Sequence, residues 1–248
     1  MTRQGSTNVA GSNRVGWRVL DIKNGQLRLI SDETTADTVK LHGANGYNNA
    51  VKILDDLCNK LYSNVSFASN VQNLKIEDIQ EHMNEKNYKN IDANYGNAYT
   101  PGQRNYPNIF AQENRQLGNL ETGKLGFSEQ DTWYTGTNND RNPMNTTYTF
   151  WSNWMEQVDF TKPMYYELFI DNGGYNAYWL SSRCIEADAP SLAYFHVRFI
   201  ASCLINGVAL ADSSNAWDDY AYGLRPVITL KSNLEVAGGN DTAGWDIQ

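Results

Sequence analysis

The groups in this 248-residue chain best suited to chemistry are three histidines and three cysteines: His42, His82, His196, Cys58, Cys184 and Cys203. A catalytic base needs a nucleophile or an orienting carboxylate within hydrogen-bond reach, and a structural metal site needs ligands at short, regular spacing. The histidines are widely spaced and form no recognisable dyad, and no two cysteines make a C-x-x-C pair. Neither G-x-S-x-G nor G-x-x-x-x-G-K-[ST] occurs. A lone histidine is more often a surface or core residue than a base. The chain is therefore expected not to be an enzyme and to carry no metal or other cofactor. Three cysteines leave room for one disulfide and an odd thiol.

One segment stands out by composition. From Ala187 to Leu230 there is no Lys, Glu, Gln or Met. Those four types make up roughly one residue in six of the chain before it, so about seven or eight would be expected there. Strands and apolar cores are poor in Lys and Glu in any case. Yet the segment keeps Asp188, His196, Asn206, Asp212, Asn215, Asp218 and Asp219, so it is not simply core.

The remaining composition bounds the partner. The chain is acidic, with a net charge of −8 and no basic run, which argues against nucleic acid as a ligand. No apolar run approaches a membrane span, so direct membrane insertion is not expected. The first residues, “MTRQGSTNVAGSNRVGW”, show no apolar core of a signal peptide. The length fits one large domain or two small ones.

The elements that must position these residues follow from local pattern. “GWRVLDIKNGQLRLIS” reads as two strands around Asn24-Gly25, a hairpin signal. In Gly46–Asn64, Val51, Leu54, Leu57, Cys58 and Leu61 recur at helical spacing, with Asn48 or Asn49 as the expected N-cap. A shorter helix is expected where Ile76, Ile79 and Met83 share a face. From about Asn87 to Thr147 periodicity fades, as in a surface insertion. “TYTFWSNWMEQVDF” reads as a strand pair, “MYYELFI” as a short apolar element and “AYWLSSRCI” as a buried strand. “YFHVRFI” and “YGLRPVITL” read as two more strands separated by loop. Alternation in “YFHVRFI” puts Phe195, Val197 and Phe199 on one face and Tyr194, His196, Arg198 and Ile200 on the other. Helices early and strands late, without a βαβ rhythm, suggest α+β.

Four stretches together carry a resemblance: Trp17–Ser31, Gly46–Asn64, “YWLSSRCI” (Tyr178–Ile185) and “YFHVRFI…YGLRPVITLKS” (Tyr194–Ser232). They are similar to poorly characterised bacterial and phage surface domains with the C-type-lectin-like fold, to which formylglycine-generating enzymes are related. The resemblance covers both ends of the chain and not the middle. It implies two helices flanking a small twisted β structure, with late strands that carry a long ligand-presenting loop region. The implied layout is a flexible arm over residues 1–14 and one domain over 15–248. That domain would hold the insertion at about 87–147 and a ligand-binding segment at about 186–222.

Some members of this fold are the variable proteins of diversity-generating retroelements, in which a reverse transcriptase mutates template adenines and the copy replaces the 3′ end of the gene. An Asn codon with a fixed third-position pyrimidine can then never become Lys, Glu, Gln, Met or Trp. The four types missing from Ala187–Leu230 belong to that set; Trp217 would have to be a fixed position.

The family pattern implies that Phe195, Val197, Arg198, Ile200, Leu210, Gly223, Leu224, Arg225 and Pro226 are scaffold. It leaves Tyr194, His196, Phe199, Ala201, Cys203, Leu204, Asn206, Val208, Ala209, Ala211, Asp212, Ser214, Ala216, Asp218 and Tyr220 outward, with Trp217 on the same surface. “AWDD” (Ala216–Asp219) is similar to the Trp-Asn-Asp calcium motif of sugar-binding C-type lectins, with Asp212 nearby. The Glu-Pro-Asn or Gln-Pro-Asp partner motif is missing, so a solvated loop is expected there. Cys58 and Cys184 are either a disulfide tying the first helix to the “YWLSSRC” strand or two buried free thiols, with Cys203 unpaired on the binding face.

The implied function is binding of a protein or glycan on another cell or host surface, at a bacterial cell surface, outside the cell or at a phage tail. The alternatives are a structural surface, pilus or tail component, and a cysteine oxidase of the formylglycine-generating type using the late Cys184 and Cys203.

Overall fold

The structure is a computed structural model that describes residues 16–63, 67–84, 153–154, 159–170, 177–189, 192–212, 218–234, 236–240 and 244–247. The expected arm (1–14) and insertion (about 87–147) lie outside these residues, as does most of the strand pair expected around Trp154.

Strands β1 (Trp17–Lys23) and β2 (Gln26–Ser31) pair antiparallel. They close on Asn24 and Gly25, whose φ values of 54° and 76° are the left-handed pair that a two-residue hairpin turn requires. Strand β3 (Val39–His42) leads directly into α1 (Gly43–Tyr62). Of the expected stripe the helix buries Val51, Leu54 and Cys58, with Tyr62 beside them, while Leu57 and Leu61 are half-buried.

Its start differs from the expected Asn48 or Asn49 cap. The helix begins at Gly43, after His42, without a side-chain cap. Backbone from the far end of the chain takes the place of a cap: the Gly43 N–H donates to the Asp218 carbonyl at 2.9 Å. Gly46 in the first turn fits where a Cβ would come within 3.0 Å of the Leu41 backbone and 3.3 Å of Leu210 Cδ1. That close approach seats the helix against β3 and the C-terminal segment.

Strand β4 (Ala68–Asn73) and a short α2 (Ile76–Gln80) follow. Then come β5 (Asn153–Trp154), α3 (Met164–Phe169), β6 (Tyr178–Ala189) and β7 (Leu192–Ala201). The chain continues through β8 (Leu204–Asp212), β9 (Asp219–Tyr222), β10 (Pro226–Leu230), β11 (Val236–Asn240) and β12 (Gly244–Ile247). One four-stranded sheet runs β1-β2-β10-β4 and another β5-β8-β7-β6; β3-β9 and β11-β12 are two-stranded ribbons. All these strand pairs are antiparallel. The molecule is mixed α+β, mostly antiparallel strands with few helices. The strands carrying Trp17 and Val227 share a sheet, with β2 between them.

Two hydrophobic clusters lie on opposite sides of the strands. Leu29 and Ile228 pair across β2 and β10 and enter the cluster that holds Leu54, Cys58, Trp179, Val197 and Leu210. Their neighbours Ile30 and Val227 pair on the other face, in the cluster of Leu20, Ile79, Phe169, Tyr178 and Ile200. Alternate side chains thus fill both clusters, which explains why β10 is apolar without alternation.

Asn73 and Arg225 lock the elements together. Asn73 Nδ2 donates to the Trp179 carbonyl at 2.8 Å, and its Oδ1 accepts the Arg225 N–H at 2.8 Å. Arg225 is fully buried and donates to the carbonyls of Ser31 (2.7 Å), Asp32 (3.2 Å) and Leu168 (2.9 Å). Its guanidinium also lies 5.4 Å from the Tyr178 ring centre. The Leu74 N–H donates to the Arg225 carbonyl at 2.9 Å, and the Trp179 N–H to that of Gly223 at 3.0 Å.

Cys58 points into this lock. It is a free, buried thiol 3.8 Å from Asn73 Oδ1, so the bridge to Cys184 does not form. Burial pushes its pKa well above the ordinary value, with the charge of Asp55 adding to the effect.

A second buried network ties the first hairpin to α2. Arg28 donates from Nε to Asp21 Oδ1 at 2.6 Å and also pairs with Asp78. His82 Nε2 lies 3.0 Å from Asp21 Oδ2, with its ring stacked 3.9 Å from that of Tyr165. Burial raises the Asp21 pKa, but hydrogen bonds from His82 and Arg28 and their charges outweigh it and hold it at about 2.

Replacing Asn73 by Ala leaves the Arg225 N–H and the Trp179 carbonyl without these partners; urea unfolding should show a loss of roughly 3 kcal/mol. The depressed Asp21 pKa contributes stability above its unfolded value near 4, lost as pH falls towards about 2. Asp21→Asn should therefore flatten the stability-against-pH curve between about pH 4 and 2. An unchanged slope there would contradict that assignment.

Candidate ligand-binding face

The C-terminal segment is a hairpin with a ribbon laid beside it. β7 and β8 pair from Tyr194↔Asp212 to Ala201↔Leu204, with Phe199 opposite Asn206 and Val197 opposite Val208. β9 pairs with β3 rather than with the hairpin, with Leu41 opposite Tyr220 and Val39 opposite Tyr222. Tyr222 stacks on Phe199 with ring centres 4.9 Å apart and lies 4.6 Å from the Trp179 ring. Tyr220 follows at 6.3 Å from Tyr222. Trp179 is fully buried and donates from Nε1 to the Val39 carbonyl at 2.8 Å, so the inner end of this aromatic row is fixed.

The scaffold residues expected from the family pattern are inside wherever their side chains are described. Val197, Arg198, Ile200, Leu210, Gly223, Leu224, Arg225 and Pro226 are all buried. Among the residues expected outward, Phe199, Ala201, Cys203, Leu204, Asn206, Val208, Ala209, Asp212 and Tyr220 are half-buried, and Asp218 is exposed. The Tyr194 side chain, Ser214, Ala216 and Trp217 lie outside the described residues.

Two expectations are corrected. His196 is only 5% exposed and Ala211 only 3%. β7 lies between β6 and β8, and both faces of this sheet are covered, so alternation along it chooses between two interiors. Burial pulls His196 down to about 3, with the Arg198 charge adding to the shift and a backbone hydrogen bond with Gly207 opposing it. A neutral, buried imidazole is not a displayed group.

Tyr222, half-buried beside Tyr220 and packed with it against the core, was not among the expected residues. The signal was present in “DYAY”: the strand alternates exposed and half-buried, with Tyr220 and Tyr222 turned the same way. The strand β8 was missed as well. Its turn, Ser202-Cys203, has φ values of 48° and 64°, the same left-handed pair as at Asn24-Gly25 but without Asn or Gly.

Asp218 has a rigid mount. Its N–H donates to the Leu210 carbonyl at 3.0 Å, and its carbonyl accepts from Gly43. Asp219 pairs with Lys40, whose hydrogen bond lowers the Asp219 pKa. Among the described residues no group of His, Cys, Asp and Glu is placed to hold a metal ion. The described side chains here are half-buried aromatic rings, an amide at Asn206 and carboxylates at Asp212, Asp218 and Asp219.

No family model, curated protein or solved structure matches this chain.

A left-handed backbone costs ordinary residues about 1 kcal/mol each and suits Asn and Gly. Replacing Ser202-Cys203 by Asn-Gly should therefore raise the melting temperature, and an unchanged or lower value would show that the turn carries no such strain.

Proposed function

We propose that this protein binds a ligand through its C-terminal face and is not an enzyme, on a C-type-lectin-like frame. The ligand is a protein or glycan on another cell or host surface, and the carrier is a bacterial surface protein or a phage tail. The missing Lys, Glu, Gln and Met fit a segment diversified by a retroelement. The observation that carries the reading is the division of one short segment. Its described scaffold positions are buried, while the described positions expected outward, apart from His196 and Ala211, are half-buried or exposed. The frame reading is supported by one long helix beside two small antiparallel sheets, and by a first strand that shares a sheet with a late one.

A face built to vary must leave folding to other residues, since a core change typically costs about 1 kcal/mol or more. Joint substitution of Ala201, Asn206, Ala209, Asp212 and Tyr220 should leave the melting temperature within a few degrees of the parent (about 1 kcal/mol or less). Single changes at Trp179, Val197 or Arg225 should each lower it by about 10 °C or more. Equal damage from both sets would mean a structural segment instead. Retroelement diversification has its own test: a near-copy of the 3′ end of the gene, differing at adenines and lying beside a reverse transcriptase.

A further inference from the structure

We draw no further inference here: the strongest candidate, the half-buried patch of Ala201, Leu204 and Asn206 at the turn end of the β7–β8 hairpin, belongs to the face already described, and nothing in the structure shows what covers it.

Discussion

Everything on the C-terminal face depends on a buried guanidinium that bonds to backbone alone. Arg225 donates to the carbonyls of Ser31, Asp32 and Leu168, while its own amide and carbonyl meet Asn73 and Leu74. Taking a charge out of water is costly unless it is paired or hydrogen-bonded; Nε and Nη2 meet three carbonyls while Nη1 meets no hydrogen-bond partner among the described residues, so the group depends on all three carbonyls being in place. That makes it a condition as much as a contact. The end of β2, the helix α3, the end of β4 and the start of β10 must all arrive together. The adjacent bond from Trp179 to Gly223 adds β6 to the set.

A lock of that kind frees the neighbouring surface. β7 and β8 are held from within by Val197, Ile200, Ile205 and Leu210. β9 is held by its ribbon with β3 and by Tyr222 against Trp179. Of the side chains between these anchors, Phe199, Val208, Tyr220 and Tyr222 are half-buried against the core, whereas Ala201, Asn206, Ala209 and Asp212 are half-buried and belong to neither cluster. Under the proposed function, the latter group and the exposed Asp218 are the side chains that would meet a ligand. The division is not perfect: Tyr222 belongs to both sides, half-buried on the frame and next in line to Tyr220.

Much of the frame was legible in the sequence because local chemistry announced it. Asn24-Gly25 marks a turn by its backbone preferences, and the helix through Leu54 and Cys58 shows its period. Three things were hidden for physical reasons. The turn at Ser202-Cys203 adopts a conformation its residues do not advertise, so β8 read as loop. Alternation in β7 separates two faces but cannot say that both are covered, which misplaced His196. The fate of Cys58 depends on Asn73, fifteen residues on and in another element, and no spacing rule predicts that bond. Of the candidate face, the positions near the hairpin end, Ala201, Cys203 and Leu204, are half-buried, and the place of Tyr222 follows only from the register of β9.

The central claim is that a rigid frame carries a face indifferent to folding, and native-state hydrogen exchange reads it directly. The amides of Leu74, Trp179 and Arg225 donate bonds of the lock, and that of Gly223 donates beside them to the Ala177 carbonyl. The account predicts that they exchange last and together, through global unfolding, and at the same rate when the outward side chains of β7, β8 and β9 are replaced jointly. Faster or unequal exchange of those four amides in the replaced protein would contradict it, because the face would then be part of what holds the fold.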